Sequence, residues 1–375
     1  MAKNQPEIKP QLLLITGGDP AGIGSEIIRK ALVELESSLF TKASDRVVIF
    51  YLYTGRADAA DSEWQLFVDC CAGLKSKPTV DVVAGQEALL PAITAACEQP
   101  RPLQILVHPL AAGTETGITI GTPSALSGRL AFRALELACD LILELQSGPG
   151  SSDTAIRISN ISLVTAPLSK EWVIRGGVSD FSGHTGYLAK RFGSNVLMLM
   201  HGQNFSVIPL TEHVSIANVP TALKKRLAQT DLVDLIGNVA RRSVFAGRQV
   251  AICALNPHCG EGGLIGNEES EVLQPFIEKL RASGLSITDP LSADTLFMES
   301  IRSQYRLIVS CYHDQGLIPF KAFEAENGIN VTIGLPFLRT SPDHGTAFGI
   351  AGQNLANAAS MRRAIEAVLS PELSS

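Results

Sequence analysis

The chain has 375 residues, 45% of them hydrophobic but only 6% aromatic, with 32 glycines and a formal net charge of −6. That length exceeds one small core and suits two domains or one large α/β unit. The acidic balance argues against a nucleic-acid partner, and the apolar runs fall far short of the ~18 residues of a membrane span.

No charged start followed by an apolar core and a small-residue cleavage site is read at the N-terminus, so a cytoplasmic protein is expected. The seven cysteines, at 70, 71, 97, 139, 253, 259 and 311, are odd in number and form no CxxC. They fit reduced, mostly structural thiols of a cytoplasmic chain.

In chain order, residues 1–10 are polar and read as a ragged start. Gln11 to Thr16 reads as a strand that runs into the glycine-rich turn Gly17 to Gly24, with a helix from Ser25 to Leu35. Such a turn either faces an anion with its backbone N–H groups or packs helix tightly on strand. It is not GxGxxG, and no acid ends the next strand, Val47 to Tyr53, so the usual dinucleotide fingerprint is absent. Residues 55–66 read as loop, then helix. Further strands are predicted at Val80 to Val83 and Gln104 to Val107. Gly113 to Ser124 reads as an irregular connection between domains, Ser127 to Leu145 as an amphipathic helix, and Gly148 to Asp153 as a surface loop.

Ile161 to Thr165 is a strand ending at Ala166-Pro167-Leu168-Ser169-Lys170, and Asp180 to Tyr187 holds His184 and Thr185 before a helix. Val196 to Met200 and Phe205 to Leu210 read as adjacent strands, Pro220 to Ala240 as helical, Val250 to Leu255 as a strand ending at Asn256-Pro257-His258, and Glu268 to Ser283 as a helix. The run Leu307-Ile308-Val309 suits a buried strand that stops at Ser310-Cys311-Tyr312-His313-Asp314-Gln315-Gly316. A short strand at Asn330 to Ile333 and a C-terminal helix complete the pattern. Alternating strands and helices predict a parallel-rich α/β fold.

Three histidines close apolar strands: His213, His258 and His313. If those strands are parallel neighbours, their carboxyl ends share one edge and three imidazoles could meet there, an open arrangement suited to a catalytic metal. The competing explanation is three unrelated capping or hydrogen-bonded histidines. Lys170, Lys321 and Arg339 are cations in otherwise uncharged segments. Lys321 and Arg339 either clamp a phosphate or carboxylate or form ordinary surface pairs. Asp294 and Asp314, near strand ends, are a base, an orienting partner of a histidine, or solvated caps. His344 is ambiguous on chemistry alone, and His108 and His201 read as structural or exposed.

The segments GGDPAGIGSE (17–26), TAPLSK (165–170), SGHTGYLA (182–189), NPHCGEGGLIG (256–266), ADTLF (293–297), YHDQGLIPFK (312–321) and GLPFLRTSPDHGTAFGIAG (334–352) span nearly the whole chain. Together they resemble the 4-hydroxythreonine-4-phosphate dehydrogenase family of pyridoxal phosphate biosynthesis. The resemblance implies an isocitrate/isopropylmalate dehydrogenase-like fold of two α/β/α domains around a cleft. Those domains are expected at 1–125 plus 325–375 and at 126–324. It also implies a homodimer, NAD or NADP, and one divalent metal (zinc, magnesium or cobalt). Family positions place metal ligands at His213, His258 and His313, and substrate contacts at His184, Thr185, Lys321, Asn330 and Arg339. The segment Asp343-His344-Gly345 resembles an adenosine-binding end. Asp294, Asp314 and Lys321 are the candidates for proton transfer.

The implied reaction oxidises 4-phosphohydroxy-L-threonine to a 3-oxo acid, which decarboxylates to 3-amino-2-oxopropyl phosphate on the route to pyridoxine 5'-phosphate. Gly186 where the family usually has Glu, Pro342 before Asp343, Ser25 in place of Pro, and extra residues near 55–65 and 147–153 are departures. They bear on the far end of the substrate, so sister-branch substrates (threonate or erythronate 4-phosphate, or a dihydrodiol carboxylate) remain open. Readings of other classes are a metal-dependent hydrolase and a non-catalytic binder of phosphorylated ligands.

Overall fold

The computed structural model describes residues 10–39, 46–99, 101, 103–111, 117–147 and 161–373. The polar start at 1–9, part of the Gly113–Ser124 connection and the Gly148–Asp153 loop lie outside the described residues. The strands are β1 (Gln11–Thr16), β2 (Val47–Tyr53), β3 (Thr79–Val82), β4 (Leu103–Pro109), β5 (Ile161–Thr165), β6 (Leu197–His201), β7 (Ser206–Pro209), β8 (Val250–Cys253), β9 (Ile287–Leu291), β10 (Leu307–Ser310), β11 (Ile329–Ile333) and β12 (Leu338–Pro342).

The chain divides into two units: Met1–Ser194 with Leu335–Leu369, and Asn195–Gly334 with Ser370–Ser375. The first break therefore falls after Ser194 instead of residue 125. Residues 126–194 stay with the first unit for two reasons. β5 pairs with both β1 and β12. The helix Ala125–Ser147 buries Ala134, Leu135, Ala138, Cys139, Leu141 and Ile142 in the same core as Leu12, Phe50 and Leu163. The second break lies at Gly334 instead of 324, because β11 pairs along its length with β6.

In the first unit the strand order is β3-β4-β2-β1-β5-β12, and every pairing is parallel. Parallel strands covered on both faces read as continuous apolar runs, and all seven residues of β2 are buried. The glycine-rich turn after β1 is explained by packing: a Cβ on Gly24 would lie 2.1 Å from the Gly17 carbonyl oxygen. Only glycine permits so close a backbone approach.

The second unit has the order β11-β6-β7-β10-β8-β9. β6 runs antiparallel to β11 and β7, whereas β7, β10, β8 and β9 run parallel. Its core gathers Met200, Phe205, Val207, Ala251, Ile308, Leu317 and Phe320. The buried Glu324 accepts the backbone N–H groups of Gln203, Asn204 and Phe205 at 2.7–3.0 Å, fastening the end of helix His313–Glu324 to the β6–β7 turn. Three charge-assisted bonds offset the cost of burying that carboxylate.

Several elements differ from expectation. The stretch 220–240 is two helices, Val219–Leu227 and Leu232–Ala240, because Asp231 starts a new one with its carbonyl accepting Leu235 N–H at 2.9 Å. The stretch 268–283 opens with a widened turn, Glu269–Leu273, before the helix Gln274–Ala282. Pro275 has no N–H to give the carbonyl one turn back. β9 and β12 lack a strand pattern in the sequence: Asp289 and Pro290 mask the first, which lies at the end of the strand order where proline is tolerated, and Arg339, Ser341 and Pro342 mask the second. All seven cysteines are free. Among the described residues no helix is long and apolar enough to cross a membrane.

Candidate active site

The condition set by the sequence holds in the second unit. β10 lies between β7 and β8 and pairs in parallel with both, so the segments carrying His213, His258 and His313 leave the same edge. Those ends are stitched together. Thr211 donates its backbone N–H (3.2 Å) and its hydroxyl (2.9 Å) to the Cys311 carbonyl. The Gln315 carboxamide accepts Cys311 N–H and donates to the Ala254 carbonyl, both at 2.7 Å, joining the ends of β10 and β8. A Cβ on Gly316 would lie 2.5 Å from Ser310 Oγ and Val207 Cγ1, so glycine lets the helix begin directly against the strands.

The rings of His213 and His313 lie with centroids 5.5 Å apart, their planes tilted by 41°. His313 Nδ1 lies 2.7 Å from Asp314 Oδ1, which fixes the ring and leaves Nε2 as a donor atom. That pair fits a borderline divalent cation by donor chemistry. Among the described residues no three His, Cys, Asp or Glu side chains already form a metal cluster; the pair is assembled, and His258 is not drawn into a cluster with it. Asp294 is tied to Ser292 by a 2.6 Å hydrogen bond. That bond, then the Thr295 backbone N–H and in smaller part the field of His258, holds the carboxylate below its usual range. Lys321 is exposed, two turns after Asp314 on the helix His313–Glu324. Asn330 on β11 donates to Met198 Sδ at 3.4 Å, and its Oδ1 is buried without a hydrogen-bond partner.

The first unit holds the other predicted residues. Arg339 on β12 is 2% exposed and donates to the Thr165 hydroxyl at the end of β5. Burial works against its charge and pushes the guanidinium down to about 9, so it stays charged at neutral pH. His184 and Thr185 open the helix His184–Phe192. Burial, and then the Arg339 charge, hold His184 well below the ordinary histidine value; its Nε2 is buried without a partner. A guanidinium, a neutral imidazole and a helix N-terminus are groups that favour an anion. His344 Nε2 is likewise buried without a partner, and Asp343 N–H donates to Ser360 Oγ at 2.9 Å. This segment docks on the glycine-rich turn, the Ile23 N–H reaching the Thr346 carbonyl at 3.1 Å.

Sequence reasoning passed over several residues. Gln315 and Thr211 align the strand ends, and nothing short of the pairing reveals it. A cavity of about 290 Å³ in the first unit is lined by Pro20, Ser25, Tyr53, Arg56, Asp61 and Glu63, among others. It takes in much of the 55–66 segment, for which the sequence pattern predicts only loop and helix. Burial raises the Glu63 carboxyl above its usual range.

The chain is similar, with a TM-score of 0.69 and 30% identity over 97% of its length and 100% of the other, to the crystal structure of 4-hydroxythreonine-4-phosphate dehydrogenase from Klebsiella pneumoniae. Fold and relatives define an oxidoreductase of the dehydrogenase class. It is 34% identical over 362 residues (96% of this chain, 95% of the relative) to a 4-hydroxythreonine-4-phosphate dehydrogenase of Geobacter metallireducens. It is 35% identical over 367 residues (94% of each) to a protein of Bradyrhizobium diazoefficiens provisionally described as D-threonate 4-phosphate dehydrogenase. The family model described as pyridoxal phosphate biosynthetic protein PdxA matches residues 77–368, and the chain belongs to that family.

Proposed function

We propose that this chain oxidises 4-phosphohydroxy-L-threonine with NAD or NADP to a 3-oxo acid that loses CO₂ to give 3-amino-2-oxopropyl phosphate, in pyridoxine 5'-phosphate biosynthesis. The observation that carries the reading is the meeting of His213 and His313 at the ends of paired parallel strands, with Asp314 on one ring. A divalent cation (zinc, magnesium or cobalt) held by His213, His258 and His313 would acidify the substrate hydroxyl and stabilise the charge left after decarboxylation. Asp314 orients His313. Asp294, Asp314 and Lys321 are the groups that could take the hydroxyl proton. Arg339, with His184 and Thr185, and Lys321 are the groups for the charged ends of the substrate, and Asn330 Oδ1 accepts a substrate N–H or O–H. Asp343, His344 and Gly345 hold the cofactor, supported by the orphaned His344 Nε2. The protein works in the cytoplasm as a homodimer.

The test is NADH or NADPH formation on mixing the protein, a divalent metal, either cofactor and a panel of phosphorylated and unphosphorylated hydroxy acids. Turnover of the phosphorylated amino acid is expected; no reduced cofactor from any substrate would overturn the reading. A second reading, threonate 4-phosphate as substrate, is favoured by Gly186. A Cβ there would lie 2.2 Å from Ser182 Oγ, so the Glu usual in the family would fit at this helix start only with the Ser182 hydroxyl rotated away. The same panel decides between the two.

A further inference from the structure

The loop that follows β8 has an unusual backbone. Six successive residues have positive φ: His258 (51°), Cys259 (56°), Gly260 (77°), Glu261 (46°), Gly262 (67°) and Gly263 (98°). Three of them are not glycine. L-residues enter this left-handed region mostly singly, because Cβ crowds the following carbonyl. Such a run persists only where its surroundings over-determine it.

The surroundings here centre on one buried carboxylate. Glu269, 9% exposed, accepts the Asn256 backbone N–H on Oε1 at 2.7 Å and the Asn256 carboxamide on Oε2 at 2.9 Å. The same carboxamide donates to Glu268 Oε2 at 2.7 Å. A Cβ on Gly260 would lie 2.9 Å from Glu269 Oε2 and 2.6 Å from the Gly266 carbonyl, so the middle of the loop rests on this clamp. The Ile265 N–H closes the loop onto the Gly260 carbonyl at 3.1 Å. His258, two residues after Asn256, is the first residue of the left-handed run.

We infer that Asn256 and Glu269 are positioning residues whose clamp holds the loop in its left-handed course and so presents the His258 imidazole to a divalent cation. The inference rests on the proposed metal site. It is tested by titrating the metal-free full-length protein with Co²⁺, reading the dissociation constant and the visible absorption band, with thermal midpoint and circular dichroism alongside.

His258→Ala should lose most of the cobalt affinity. Glu269→Ala should weaken it by about tenfold, as removal of an orienting partner typically does, and change the band while the fold is kept. Glu269→Gln keeps an acceptor for the Asn256 N–H and should recover most of the affinity. Asn256→Asp, which sets a third carboxylate against two, should be at least as damaging as Glu269→Ala. Folded Glu269→Ala with wild-type affinity and band overturns the positioning role. If that variant does not fold, wild-type affinity and band in Asn256→Asp overturn it instead. A wild-type protein that takes up no cobalt, or His258→Ala that binds as wild type, overturns the metal reading and this inference with it.

Discussion

The two units arm their strand ends by opposite means. In the second unit the polar groups stand near the surface, with the side chain of Asp314 66% and that of His313 33% exposed. There they are organised by neighbours: the Asp314 carboxylate, the Gln315 carboxamide, the Thr211 hydroxyl and a glycine that lets the helix approach. In the first unit Arg339 is buried, and burial itself sets the state of His184. Exposed groups need a cation or partner to gain catalytic strength, whereas buried ones carry their electrostatics with them.

The comparison breaks first at His313. Replacing it by Ala should lower kcat/KM by on the order of 10³-fold, several kcal/mol of lost charge stabilisation, together with bound metal measured by elemental analysis. Activity within tenfold of wild type would mean that the exposed cluster is not the reacting centre. Next is Arg339→Lys. A single ammonium cannot copy the guanidinium fork, and a loss of about 2 kcal/mol, roughly 30-fold in kcat/KM for the phosphorylated substrate, is expected. Unchanged kcat/KM, or equal use of the unphosphorylated substrate by wild type, would remove the anion-binding role from the first unit.

Gly316→Ala sharpens the claim that contact organises the second unit. The added methyl meets Ser310 and Val207, so denaturant unfolding should show a loss of about 1.5 kcal/mol, and no loss would show that the helix start has slack. The last effect concerns pH. His184 has its folded value depressed below the ordinary 6.5, by burial first and Arg339 second. The unfolded chain therefore takes up a proton that the folded chain does not. The stability involved is present above about pH 6.5 and is lost as pH falls below it. His184→Gln should flatten that decline, removing a slope of up to about 1.4 kcal/mol per pH unit. Thermal midpoints from pH 7 to 5 check this, and parallel profiles for the two proteins would reject it.

Much of this molecule was written in local pattern. The apolar runs of β1, β2, β5, β8 and β10 and the amphipathic helix after residue 125 declare themselves, because a strand covered on both faces must be apolar throughout and a helix packed on one face must repeat with its turn. The three histidines at strand ends, and Arg339 in an uncharged segment, were likewise visible as chemistry out of place. The sequence could not say that β10 lies between β7 and β8, since pairing joins Leu307 to Ser206 and Ile308 to Ala251, far apart in the chain, and leaves no local mark. That order alone turns three separate strand ends into one edge, and it gives Gln315 and Thr211 their roles. The residues 126–194 joined the first unit for the same reason: β5 pairs with β1, and no composition shift marks the true break after Ser194. β12 stayed hidden because Arg339, Ser341 and Pro342 are poor strand formers, and the strand shows itself through the pairing of Leu338, Arg339 and Thr340 with β5. Residue chemistry was thus legible in one dimension, while proximity, burial and the protonation that burial imposes were decided only when distant segments packed.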